Sequence, residues 1–183
     1  MRASAALNEF EKQMLDRTKQ QYLYLAERPL LEVTVKMVTL SPLLSLAGFY
    51  DPPFYTTLEE SIKVESLDGT EIMQGQIDVL VLQKTIWVVI IEAKSIQYDV
   101  MVALPQALTY MMASSQRSSD RQLFAMITNG REFCFIKLNQ KIKPEDSPTY
   151  TLSRVFLLSE TENQLYEVLQ ILKSLGQIII TNP

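Results

Sequence analysis

Histidine is absent from this 183-residue chain, and cysteine occurs once, at Cys134. Without histidine there are no Ser-His or Cys-His triads, no imidazole bases and no histidine-ligated zinc. A single cysteine excludes cysteine-rich zinc sites and an internal disulfide, and fits a reducing, cytoplasmic home. Glycine is scarce too. Gly48, Gly69, Gly75, Gly130 and Gly176 are scattered, and none belongs to a phosphate-cradling loop. No apolar run approaches the length of a membrane span, and Met-Arg-Ala-Ser followed by the polar stretch from Asn8 to Gln21 lacks the apolar centre of a signal peptide. Positive charge is thinly spread: no basic run exceeds a dipeptide and the net charge is -4. Any affinity for nucleic acid should therefore be weak and fall steeply between low and physiological salt. Hydrolytic chemistry, if present, is left with carboxylates, lysine and hard cations such as Mg2+ or Mn2+.

What is present is ordinary globular material, 47% hydrophobic and 21% charged, enough for one domain with a substantial core. Helix formers with recurring apolar residues predict a helix from Ala5 to Glu27, ended by Arg28-Pro29. A second helix is expected from Leu31 to about Leu46, stopped at Gly48 and kinked or split at Pro42. Strands are expected over Glu60–Ser66, with a turn at Asp68-Gly69, then over Gln76–Leu82 and Ile86–Glu92. A helix containing Leu104 to Ala113 follows, and Asn129-Gly130 joins a hairpin of Leu123–Thr128 and Glu132–Leu138. Lys141 to Pro148 reads as a polar loop, Tyr150–Leu158 as a last strand, and Glu160–Leu175 as a closing amphipathic helix. The fold class is α/β or α+β. Residues 1–30 form an N-terminal helical extension, free to pack on the sheet or to form a dimer interface, and residues 31–183 form one compact domain.

Three charged residues stand out because of where they sit. Asp78 lies near the start of one apolar strand. Glu92 and Lys94 end the next, after five uninterrupted apolar residues, Trp87 to Ile91. Ionised groups on buried strands are costly unless paired or bound to a cation. Side chains alternate along a strand, so Glu92 and Lys94 share a face. A three-residue loop at Gln83-Lys84-Thr85 would pair Asp78 with Ile90 and place its carboxylate on that face, with Glu92 its diagonal neighbour at roughly 7–8 Å. A two-residue loop would reverse the parity. Two carboxylates so placed reach one hard cation at about 2.0–2.1 Å. A structural salt bridge, or an unrelated α/β binding domain carrying Glu-x-Lys by chance, is the competing reading.

Asp78, a gap of thirteen residues and then Glu92-Ala93-Lys94 resemble the PD-(D/E)XK nuclease signature, with Ile77 where the name-giving proline would stand. Gln106-Ala-Leu-Thr-Tyr110 resembles the Gln-x-x-x-Tyr element of its recombination-nuclease and type I restriction branches. The helix led by Glu32, together with Ile127-Thr-Asn-Gly130 and Phe133, is similar to the N-terminal nuclease region of type I restriction subunits. The likeness runs from about Leu31 to Lys137. It implies a restriction-endonuclease-like core, a mixed central sheet flanked by helices, and a Mg2+-dependent deoxyribonuclease that accepts Mn2+ as a substitute. On that reading Asp78, Glu92 and the Ala93 backbone carbonyl bind the metal, and Glu32 completes its shell unless it is simply a solvated helix carboxylate. Lys94 orients the attacking water. Gln106 and Tyr110 contact the DNA backbone and brace the site, the alternative being a core tyrosine with an exposed glutamine. The rival function is a DNA-binding or assembly subunit inactive without a protein partner that supplies specificity. Double-strand cutting usually takes two active sites, which would call for a homodimer.

Overall fold

A computed structural model describes residues 6–65, 72–83, 86–95, 97–115, 123–139 and 148–181. The expected Asp68-Gly69 turn and nearly all of the Lys141–Pro148 loop lie outside them, as does the side chain of Trp87. Helix α1 spans Glu9–Leu25 and starts at a capping box. Asn8 accepts the Glu11 amide, and Glu11 returns a carboxylate to the Asn8 amide. Its buried residues Glu11, Leu15, Thr18 and Tyr22 recur at helical spacing and mark the face turned to the core.

The next helix changes type along its length. It comprises α2 (Glu32–Val35), a π-helical stretch over Lys36–Leu40, and α3 (Ser41–Leu46). Pro42 explains the change: in a regular helix it would lack the amide for the Val38 carbonyl and crowd it. The wider turn passes the proline, with the Ser41 amide bonding back to Lys36 five residues earlier and the Thr39 hydroxyl bonding the Val35 carbonyl at 3.0 Å. The irregular turn thus lies over Lys36–Leu40, ahead of Pro42, which sits within the first turn of α3, and Gly48, at φ 79°, follows the helix end.

A seven-stranded sheet follows: β1 (Phe54–Glu65), β2 (Ile72–Gln83), β3 (Ile86–Ala93), β4 (Leu123–Thr128), β5 (Glu132–Asn139), β6 (Thr149–Leu152) and β7 (Phe156–Leu157). β1 to β6 lie side by side in chain order, with β7 also on β5. Every pairing is antiparallel except β3 with β4. That parallel pair needs a crossover, supplied by a 3-10 turn (Val100–Ala103) running into α4 (Leu104–Ser115). The fold is α+β, a mixed central sheet flanked by helices. The single strand expected over Tyr150–Leu158 is two short ones, β6 and β7, and the closing helix, α5, spans Leu165–Thr181.

Two cores result. On one face α1, α3 and α5 enclose Leu15, Tyr22, Leu43, Leu169 and Leu172 against Val79, Val81, Val89 and Ile91. On the other, Ala103, Ala107, Tyr110 and Met111 of the crossover cover Ile77, Leu80, Ile90 and Ile127. α1 is therefore part of the core. At the β4–β5 turn, Gly130 (φ 84°) has no room for a Cβ, which would lie 2.8 Å from the Tyr22 ring and 2.9 Å from Val35. The Asn-Gly pair thus serves both the hairpin and the close seating of the first two helices.

Candidate active site

The sheet brings Asp78, Glu92 and Lys94 to one place, though not by the route the loop length suggested. Gln83 pairs with Ile86, so the connection is one residue shorter than expected. Taken alone, that would turn Asp78 and Glu92 to opposite faces. A register shift corrects it: Leu82 faces Trp87, but Val81 faces Val89, leaving one extra residue on β3. Beyond the shift Val79 faces Ile91, so Asp78 arrives level with Glu92 instead of diagonal to it.

A second irregularity aims the Asp78 carboxylate. Gly75 is turned toward the Tyr110 ring, and Ile77 and Leu80 lie in the core under α4, while Val79 and Val81 belong to the opposite core. Strand alternation therefore slips once, at Asp78. Across from it Glu59 adopts φ 54°, between the Leu58–Val79 and Glu60–Ile77 pairs. The expectation that Asp78, Glu92 and Lys94 share one plain strand face is corrected accordingly. Asp78 Oδ2 accepts the Ala93 amide at 2.8 Å, and Oδ1 accepts Lys36 Nζ of the π-helical stretch at 2.8 Å. Lys36 also pairs with Glu32 Oε1 at 2.8 Å.

Lys94 follows β3, its main chain fixed by its amide bonding the Thr128 carbonyl at 2.8 Å. The Thr128-Asn129-Gly130 turn is in turn held by its own side chains: Thr128 Oγ1 accepts the Gly130 amide and Asn129 Oδ1 accepts those of Arg131 and Glu132. Lys94 Nζ donates to Gln106 Oε1 at 2.9 Å, and Gln106 Nε2 donates to the Tyr110 hydroxyl at 3.1 Å. That hydroxyl is clamped to β2, accepting the Gln76 amide at 3.0 Å and bonding the Gln76 carbonyl at 3.1 Å. Tyr110 is buried, its hydroxyl turned inward to main chain, so it braces the site. A Cβ on Gly75 would lie 2.6 Å from the Tyr110 ring. Gly75, Tyr110, Gln106 and Lys94 thus form one line of contact.

Glu92 is the anomaly. It is 0% exposed, and neither carboxylate oxygen has a hydrogen-bond partner. Lys94 Nζ lies 3.9 Å away, in salt-bridge range but not bonded. Burial, followed by the neighbouring Asp78 charge, pushes the Glu92 carboxyl up to about 8, with Lys94 opposing. An orphaned carboxylate beside a second one is the donor set a hard cation fits. Among the described residues, however, no three His, Cys, Asp or Glu side chains stand close enough together to hold a metal. Glu32 joins the group only through Lys36. The one sequence signal for Lys36 is its spacing of four from Glu32 on one helix, and Gly75, three residues before Asp78, carries no local signal of its contact with Tyr110.

Residues 3–143, well over half the chain, match the family described as type I restriction enzyme R protein N terminus. The chain belongs to that family. The match begins before α1, whereas the resemblance read from motifs began at Leu31. Among solved structures, the family member resembles a fragment of a putative HsdR subunit of a type I restriction enzyme from Vibrio vulnificus YJ016. The TM-score is 0.45 at 22% identity, over 58% of this chain and 21% of that chain. The chain thus spans about a fifth of that fragment's length. No curated protein matches it. Among the described residues no helix is long and apolar enough to cross a membrane.

Proposed function

We propose that this chain is a divalent-metal-dependent hydrolase of DNA phosphodiester bonds, of restriction or repair type, with Asp78, Glu92 and Lys94 as its catalytic centre. The observation that carries the reading is the unpartnered, fully buried Glu92 carboxylate facing Asp78 with a lysine beside it. Asp78 and Glu92 would hold the cation, with the Ala93 carbonyl as a further oxygen donor. When bound, Mg2+ (or Mn2+) supplies Lewis acidity that lowers the pKa of a water and stabilises charge on the scissile phosphate. Lys94, held on the neutral Gln106 amide, keeps its ammonium free to orient the attacking water and to offset negative charge on the phosphate as the P–O bond breaks. Gln106 and Tyr110 fix that lysine.

A second reading has its own support. Leu31, at the cap before Glu32, and Val33 and Met37, beside Glu32 and Lys36 on the helix, are 71%, 57% and 69% exposed. Clustered exposed apolar residues suit a protein partner, so cleavage that requires another subunit, or a homodimer, is the alternative. Cleavage of single-stranded, duplex and nicked DNA with Mg2+, Mn2+ or EDTA tests both readings. Metal-dependent cleavage that falls at least about a hundredfold in Lys94→Ala is expected if the site is catalytic. A folded wild-type protein that cleaves nothing under any of these conditions would shift the weight to the partner-dependent subunit.

A further inference from the structure

Resting on the cation reading above, we infer that Lys36 is a resident counter-ion of the site, holding Glu32 and Asp78 together until an arriving divalent cation displaces its ammonium. The two lysines of the site are placed quite differently. Lys94 rests on a neutral amide and stands 3.9 Å from Glu92. Lys36 sits 2.8 Å from each of two carboxylates, on Glu32 and Asp78. An ammonium held twice over by carboxylates is a poor contact for a phosphate but a good substitute for a metal ion. Each Asp78 oxygen already holds one donor, Oδ2 the Ala93 amide and Oδ1 the Lys36 ammonium. A cation that ligates Oδ1 would stand within a few ångströms of that ammonium, and the repulsion between the two charges sets them in competition.

The surroundings give the displaced side chain somewhere to go. Lys36 lines a cleft of about 480 Å³ whose other walls include Met37, Tyr50 and Leu58. Among the described lining residues, Glu59 is the carboxylate outside the Glu32–Lys36–Asp78 group, and so a second resting place for the ammonium. Lys36 also begins the π-helical stretch, its carbonyl taking the Ser41 amide. Burial works against the Lys36 charge, but its hydrogen bonds to Asp78 and Glu32 outweigh that and raise its pKa, in keeping with a tightly held cation.

The test is Mn2+ binding to the DNA-free full chain, followed by electron paramagnetic resonance, with thermal unfolding in EDTA as a second readout. Lys36→Met removes the competing charge and should bind Mn2+ at least about tenfold more tightly than wild type. It should also melt lower in EDTA and recover as Mn2+ saturates. Lys36→Arg, whose planar fork grips carboxylates more firmly, should bind Mn2+ more weakly than wild type. Equal affinity in all three proteins, or weaker binding in a Lys36→Met variant that still melts cooperatively, overturns the counter-ion role while leaving the cation site intact. If Lys36→Met does not fold, Lys36→Arg decides, and an affinity at or above wild type overturns the inference. Folded proteins that bind no Mn2+ at all overturn both the inference and the cation reading beneath it.

Discussion

Two glutamates of this protein are buried beside a lysine, and the fold treats them in opposite ways. Glu11, on α1, is 7% exposed, yet each of its oxygens is used: one accepts the Asn8 amide and the other is bound by Lys173 of α5. Burial disfavours its charge, but Lys173 and the Asn8 amide more than compensate and hold its carboxyl below the ordinary value. Glu92 is buried further, no cation bonds its oxygens, and its lysine, 3.9 Å away, is occupied by Gln106. One pair fastens the first helix to the last. The other keeps a carboxylate unsatisfied at a strand end, as sites that must take up a ligand do, and proteins tolerate such costs chiefly at functional positions.

The largest effect that separates the two should come from Glu92→Gln. Because the folded state raises the Glu92 pKa, that group costs stability as pH rises from about 4.5 to about 8. In EDTA at pH 8.5 the variant should be more stable than wild type by on the order of 2–4 kcal/mol, with the difference nearly gone at pH 4. Urea unfolding at the two pH values measures it; a variant no more stable at alkaline pH would remove the distinction drawn here. Glu11→Ala should act in the other direction, destabilising by roughly 1–3 kcal/mol at neutral pH, since Lys173 loses its partner and the Asn8 amide loses its acceptor in the capping box. The sign with pH is reversed as well. A carboxyl lowered on folding contributes above its unfolded value, so this deficit should shrink as pH falls through the lowered folded value. A deficit constant across that range would mean that lost packing, not charge, is responsible.

Gly75→Ala sharpens the comparison from the side of Lys94, whose position depends on a chain of contacts and not on Glu92. The added methyl meets the Tyr110 ring, a stiff neighbour clamped on Gln76. The expected cost is about 1–2 kcal/mol. Cleavage, where wild type shows it, should fall more than stability does, with Gln106 and Lys94 shifted from their positions. Wild-type cleavage in this variant would show that the Tyr110–Gln106 brace is not needed.

Much of this was legible in the residues themselves. The β4–β5 hairpin follows from Asn129-Gly130 between two apolar runs, and its observed strands match the expected ones within one residue. The helix led by Glu32 was legible, and so was a disturbance near Pro42, because proline's missing amide is a local fact, though the irregular turn falls ahead of it over Lys36–Leu40. Legibility ended where the outcome depended on partners distant in sequence. The extra residue on β3 and the slip at Asp78 leave no mark in composition or period, yet together they aim the carboxylate. The place of α1 was likewise left open, since an amphipathic helix does not declare which surface will cover it.

The sequence by itself determined the chemical vocabulary. Lacking histidine and all but one cysteine, the protein has carboxylates as its side-chain ligands for a hard cation, and the apolar strands carrying Asp78 and Glu92 point to burial there. Only the tertiary structure decided how each charge is met: Asp78 satisfied by a lysine 42 residues earlier in the chain, Glu11 by one 162 residues later, and Glu92 by none at hydrogen-bond distance. The physical reason is range. Propensity and alternation act over a few residues, whereas the partner of a buried charge is whichever group packing brings within a few ångströms.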